Sequence, residues 1–338
     1  MLDISNVPKT SFLLCFKLGT ILKSTAGSLF KADNHKKGGS GISPYQAVAT
    51  ALAATVGTGN ITGVATAIVA GGPGAVFWMW VSALFGMCTK FSEVVLAVKF
   101  REKNERDEWV GGPMYYIENG LGKNWKWLAV LFAVFATLAS FGIGNMTQAN
   151  SVASALSTTL HISPVISGIV LVVVVAIVIL GGIKRIASVT ELLVPVMGVI
   201  YVILGIITII LNIDKLPAAF GTIFYAAFNP QAVVGGGLGY TIMRAMRYGF
   251  ARGVFSNEAG LGSAPIAHAA ANTDNPVKQG MWGAFEVFFD TFVICTITGL
   301  VVVMSGLWVP GTDLNGASLA ITAFSNSVGI VGTVGVTV

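Results

Sequence analysis

Along most of this chain apolar residues run in blocks of about twenty or more, the length that crosses a bilayer as a helix. Short polar, basic or glycine-rich stretches separate them. The blocks predict membrane spans at 43–70, 75–98, 126–157, 164–182, 189–211, 217–258, 280–308 and 316–338. Two of these are interrupted. In the first, Ala53 to Gly63 places Gly57, Gly59 and Gly63 together with Thr55, Thr58, Asn60 and Thr62 near the bilayer centre, where an unpaired backbone group is expensive. In the sixth, an apolar half from Leu216 to Val234 meets Gly235, Gly236, Gly237 and Gly239, then resumes as an amphipathic half through Met243, Met246, Phe250 and Phe255. Breaks of this kind persist where they line a cavity, because they free N–H groups for an anion and carbonyls for a cation. One break opens a first group of five spans, 43–211. The other opens a second group, 212–338, that holds fewer, which predicts inverted repeats around a shared site.

Composition agrees with a membrane chain. Hydrophobic residues make up 54% of the sequence and charged residues 10%, whereas a soluble domain carries about a quarter charged. The class predicted is therefore all-α and polytopic. A net charge of +5 in a soluble chain would suggest nucleic acid, but here the basic residues fall in alternate loops. Lys9 to Lys37, then Lys99, Arg101, Lys103, Arg106, Lys123 and Lys126, then Lys184 and Arg185, then Arg252 and Lys278 all lie on one predicted side. Only Lys215 lies on the other, so the positive-inside rule puts residues 1–42 in the cytoplasm. Cys15, Cys88 and Cys295 stand singly and suggest neither disulfide nor metal framework.

Polar groups in the spans supply the candidate chemistry. Lys90 and Glu93, three apart, share a helix face and are expected to pair. Glu286 and Asp290, four apart, could bind a cation or relay protons, or could pair with one of Arg244, Arg247 and Arg252. Asn145 and Gln148 are neutral groups able to bind a substrate or another helix. His268 reads as a loop residue, and Gly59 with Gly63 could equally be a helix-packing pair. No nucleophile–base pair or metal motif points to an enzyme. A channel is the nearest rival class, since a glycine-rich filter also uses carbonyls, but four subunits around one pore would then be expected.

Five stretches carry a family resemblance: ATALAATVGTGNITG and its continuation, FGMCTKFSEVVLAVKFRE, GGPMYYIENGLG, GIGNMTQAN and GVFSNEAGLGSAPIAHAAA. Together they resemble the alanine/glycine:cation symporters, the sodium:alanine symporter family. The resemblance implies a leucine-transporter-like fold of two inverted five-helix repeats with an extra preceding helix. It also implies sodium-coupled uptake of alanine or glycine by alternating access, protons replacing sodium in some members, in a prokaryotic inner membrane and with no cofactor. Carried onto this sequence, Thr58 and Gly59 would meet the amino-acid carboxylate. The Asn60 side-chain oxygen and the carbonyls of Ala53, Thr55 and Val56 would face sodium. Gly235, Gly236, Gly237 and Gly239 would receive the ammonium group, with Asn145 and Gln148 at the pocket side. Against that pattern residues 1–42 lack the extra helix and the second repeat is truncated, so the 338 residues alone are expected to be a fragment that does not transport.

Overall fold

A computed structural model describes residues 18–25, 41–142, 144–229, 242–309 and 314–337. The predicted break at Gly235 to Gly239 lies outside the described residues. After a short helix α1 (Leu18–Ser24), helix α2 (Pro44–Thr55) opens on a reciprocal cap. The Gln46 N–H donates to Ser43 Oγ at 3.1 Å, and the Ser43 N–H donates to Gln46 Oε1 at 2.9 Å. It stops at Thr55, where Val56 turns extended. The chain resumes as a π-helical turn, Gly59–Gly63, and continues as α3 (Val64–Gly71). The two halves meet at 44°, so the interruption foreseen in the first span is a bend between two half-helices.

Helix α4 (Gly74–Lys99) follows, then a hairpin of β1 (Glu102–Lys103) and β2 (Trp109–Val110), and α5 (Pro113–Leu121). The predicted span 126–157 is two helices, α6 (Lys126–Ser140) and α7 (Asn145–Leu160). Gly142 and Gly144 fall at the joint, where they weaken a helix that apolarity alone would continue. Then come α8 (Pro164–Ile179), α9 (Gly182–Leu211), α10 (Leu216–Phe228), α11 (Ile242–Asn257) and α12 (Ser263–Ala269). The seventh predicted span begins as α13 (Pro276–Val287), passes through a second π-helical stretch, Phe288–Cys295, and ends as α14 (Thr296–Ser305). Helix α15 (Gly316–Thr337) is the last.

By length and apolarity, Gly74–Lys99, Lys123–Leu160, Gly182–Leu211 and Pro276–Ser305 can each cross a membrane, and the bent α2/α3 pair makes a fifth. The chain is an all-α polytopic membrane protein. Helix α4 is its hub and packs along α11 and α13. The α4–α11 seam is close because small residues line it: a Cβ added at Gly249 would fall 2.5 Å from Trp78 Cβ and 2.6 Å from the Ala75 carbonyl oxygen. Arg244 and Arg247 consequently lie on the exposed face of α11, opposite buried Ala245, Gly249 and Gly253. The loops predicted to be basic and cytoplasmic gather at one end. There Lys184 Nζ lies 3.7 Å from Glu108 Oε1, Ile42 bridges Ala271, and the Arg101 guanidinium donates to the carbonyls of Ala269, Ala271 and Thr273.

Candidate functional site

The last turn of a helix leaves carbonyls without intrahelical donors, and where α2 stops, those of Ala53 and Thr55 belong to that last turn. The Thr55 hydroxyl turns back on its own helix, 3.4 Å from the Leu52 oxygen. Beyond the break Asn60 is fully buried. Its Oδ1 accepts from the Gly57 N–H at 2.8 Å, replacing a backbone bond that the unwinding removed. Its Nδ2 points across the molecule to the second π-helical stretch and donates to Asp290 Oδ1 at 2.5 Å and to Ser256 Oγ at 3.0 Å.

Asp290 is the centre of this cluster. Its carboxylate is completely buried, accepts from Ser256 Oγ at 3.1 Å and Thr291 Oγ1 at 2.8 Å, and has the Cys295 thiol in the same shell, 3.3 Å from Ser256 Oγ. It forms no ion pair among the described residues. A buried carboxylate surrounded only by neutral donors lacks a counter-charge, and a proton or a small cation supplies one. π-helical turns recur at functional sites because the wider turn redirects side chains, and here both turns aim a polar side chain at the same point.

Of the other predicted residues, Thr58 and Asn145 line two separate cavities. Thr58 lines a space of about 50 Å³ with Ile61, Thr62, Ser151 and Ala317. Gln148 lies against the unwound segment, its Oε1 3.1 Å from where a Cβ at Gly57 would be. Gly59 faces α11, its missing Cβ 3.7 Å from Phe255 Cδ1 and the Ser256 Cα. Asn145 is exposed and donates to the Ser140 carbonyl at 2.8 Å. It lines a mostly apolar vestibule of about 840 Å³ that runs from Trp109 and Ile183 at the basic-loop end to Ala54 beside the break. Val56 and Ala53 stand at the rim of the break on the α2 side.

Three expectations fail on geometry. Lys90 does not pair with Glu93: it turns inward, with Nζ 3.7 Å from Glu286 Oε2 and 2.9 Å from the Asn257 carbonyl, while Glu93 accepts the Gly260 N–H. No arginine partners Glu286 or Asp290 among the described residues, since the arginines of α11 occupy its outer face or, for Arg252, stack on Phe255. His268 is not in a loop but buried in α12, its Nε2 2.5 Å from Glu286 Oε1. The residues that sequence reasoning left off the site are Ser256, Thr291 and Cys295, and the carboxylate spacing of Glu286 and Asp290 was the one signal pointing there.

Comparison with known proteins agrees with the motifs. The profile of the sodium:alanine symporter family matches residues 9–338. The chain is 54% identical over 287 residues to the sodium/alanine symporter AgcS of Methanococcus maripaludis, covering 84% of this chain and 62% of that protein. It is 48% identical to a transporter of Haemophilus influenzae over 95% of this chain and 70% of the other. It is 46% identical to the amino-acid carrier protein AlsT of Bacillus subtilis over 79% and 56%. The chain thus spans between 56% and 70% of the length of these three relatives.

Proposed function

Since the chain belongs to the sodium:alanine symporter family, we propose that the protein carries alanine or glycine inward on the sodium gradient by alternating access. The observation that carries this reading is the buried Asp290 carboxylate, held by Asn60 and Ser256 where two π-helical turns meet beside a helix break. Sodium favours oxygen donors, as other hard cations do, and the cluster offers the carboxylate, the Ser256 and Thr291 hydroxyls and the second lone pair of Asn60 Oδ1. The carbonyls of Ala53, Thr55 and Val56 lie on the α2 side of the same break, and the amino-acid carboxylate takes Thr58 and Gly59 at the start of the following half-helix, whose N-terminus favours an anion. Glycines 235–239, with Gln148 and Asn145, complete the pocket in this reading. A space as small as the one beside Thr58 suits a methyl or a hydrogen as side chain, which favours alanine and glycine over larger amino acids.

The two five-helix units, 43–211 and the one begun by 212–338, are proposed as inverted repeats of a leucine-transporter-like fold, placed in a prokaryotic inner membrane. The α2/α3 bend and the close α4–α11 seam support that arrangement. The test is uptake of labelled alanine by the full-length protein in liposomes, with an inward sodium gradient, a proton gradient and neither. Saturable, sodium-driven uptake competed by glycine is the expected outcome. Non-saturating flux would favour a channel, and uptake driven by protons alone would replace sodium as the coupling ion.

A further inference from the structure

A further cavity, of about 140 Å³, lies where the end of α9 meets α14 and α15. Unlike the vestibule, it is rich in polar side chains: Thr208, Asn212 and Lys215 from the end of α9 and the turn after it, Ser305 from α14, and Asn326 and Ser327 from α15. Lys215 lies on the side that the positive-inside rule leaves nearly free of basic residues, and it forms no ion pair among the described residues. Asp214, its neighbour in sequence, does not line the space. The ammonium is held in place. Lys215 Nζ donates to Asn212 Oδ1 at 3.1 Å, and Asn212 is itself fixed, its Nδ2 donating to the Thr208 carbonyl at 3.0 Å and across to Ser327 Oγ on α15 at 3.0 Å.

What the cavity can bind follows from which groups remain unused. Two helices end there, and terminal carbonyls by themselves favour a cation. Several of those carbonyls are already engaged. The Thr208 oxygen accepts from Asn212 Nδ2 and the Ile209 oxygen from the Asn212 N–H. On α14 the Val302 oxygen accepts from Ser305 Oγ at 2.7 Å, and the Val303 oxygen accepts from the Gly306 N–H and from Trp308 Nε1, both at 3.3 Å. The donors are not engaged to the same extent. An ammonium has three N–H groups, and Lys215 uses one of them on Asn212. Ser327 Oγ accepts from Asn212, which leaves its own hydroxyl hydrogen to give. The Asn326 side chain makes no hydrogen bond among the described residues. Unused donors around a fixed positive charge suit an anion, and Val301, Met304 and Ala323 close the space with apolar surface, which strengthens a charge-assisted bond.

We propose that this cavity binds a small monovalent anion, a halide or a carboxylate, against Lys215 and Ser327. One lysine balances one charge, which favours such an ion over phosphate or sulfate. A volume of about 140 Å³ equals about four or five waters at about 30 Å³ each, enough for the ion and a little of its hydration and too small for a nucleotide. The ion joins the end of α9 to α14 and α15, and α15 also walls the space beside Thr58 through Ala317 and Ile321. Binding here does not rest on the symport reading.

The test is thermal unfolding of the full-length protein in detergent at fixed sodium and ionic strength, with gluconate, too large for the cavity, exchanged stepwise for chloride or for formate. An ion that binds only the folded state raises the melting temperature saturably. Such a rise is expected with chloride, with formate or with both, and the responding ion identifies the source the site takes. In Lys215→Gln, which keeps a hydrogen-bonding group beside Asn212 without the charge, the melting temperature in gluconate should stay near the parent's and the rise should be lost. In Ser327→Ala the half-saturating concentration should increase several-fold. A parent with no saturable response to either ion overturns the proposal, as does a response that Lys215→Gln leaves intact. Where Lys215→Gln melts well below the parent in gluconate, Ser327→Ala decides, and an unshifted half-saturating concentration overturns the site. Sodium-driven alanine uptake is a separate measurement that none of these outcomes prejudges.

Discussion

Asn60 and Asp290 are 230 positions apart and joined by a hydrogen bond of 2.5 Å, which is why one half of the site could be read from the chain and the other could not. Glycines and threonines in an apolar run announce a break locally. A carboxylate in another apolar run announces only that it needs a partner. If Asp290 holds sodium, Asp290→Asn keeps the shape and removes the charge. A bond to a charged group is worth roughly 1.5–3 kcal/mol, so the sodium concentration that half-saturates alanine binding should rise about tenfold or more. A sodium titration that overlays on the unmutated protein would leave Asp290 a structural group. The glycines separate in the same way. At Gly59 a Cβ meets ordinary contacts at 3.7 Å, so Gly59→Ala should fold and bind alanine. At Gly57 the Cβ crowds Gln148 Oε1 at 3.1 Å, so Gly57→Ala should displace that side chain and weaken alanine binding, measurable by equilibrium binding of labelled alanine. The local pattern misled at Lys90, because three-residue spacing shows that two side chains share a face and not which way that face turns in the bundle.

At the scale of elements, apolar length located the bent first span and four helices able to cross a membrane among the described residues, but located their internal joints poorly. The run 126–157 reads as one span by its length and mean apolarity, yet α6 and α7 part at 141–144, since two glycines in four positions change helix propensity more than they change hydropathy. The π-helical stretch Phe288–Cys295 left no trace in composition for the same reason: it differs from an α-helix in hydrogen-bond register, not in which residues are apolar. The contact between α11 and α4 was not read from the chain, although small-residue spacing marks it. Ala245, Gly249 and Gly253 recur every four residues, and they are the face of α11 that meets α4. Gly249→Ala would place a methyl about where Trp78 Cβ and the Ala75 carbonyl already are, at 2.5 and 2.6 Å. Overpacking of that kind typically costs about 1–3 kcal/mol, so the variant should melt at lower temperature in detergent. Gly221→Ala, with nothing within 4 Å of the added carbon, is the matched control and should melt as the parent does.

Taken as a molecule, the protein hangs on α4, and the Lys90–Glu286 pair is the buried electrostatic tie between that hub and α13. Removing one member of such a pair leaves an uncompensated charge and costs roughly 3–5 kcal/mol, whereas replacing both with apolar residues costs less. Lys90→Met should therefore destabilise the fold more than Lys90→Met combined with Glu286→Met, a double-mutant comparison by thermal unfolding. Equal losses would mean that the pair adds nothing beyond packing. The two π-helical turns also carry an expectation about relatives. A residue inserted into an α-helix rotates everything after it by about 100°, and a π turn is how a helix absorbs that insertion without breaking. An ancestor with the insertion before Asn60 but not the one around Asp290, or the reverse, would have aimed one side chain at the site and the other elsewhere. The two insertions are therefore expected to have been gained, and to be lost, together, so that lineages aligned at 59–63 and 288–295 show paired single-residue gaps or none.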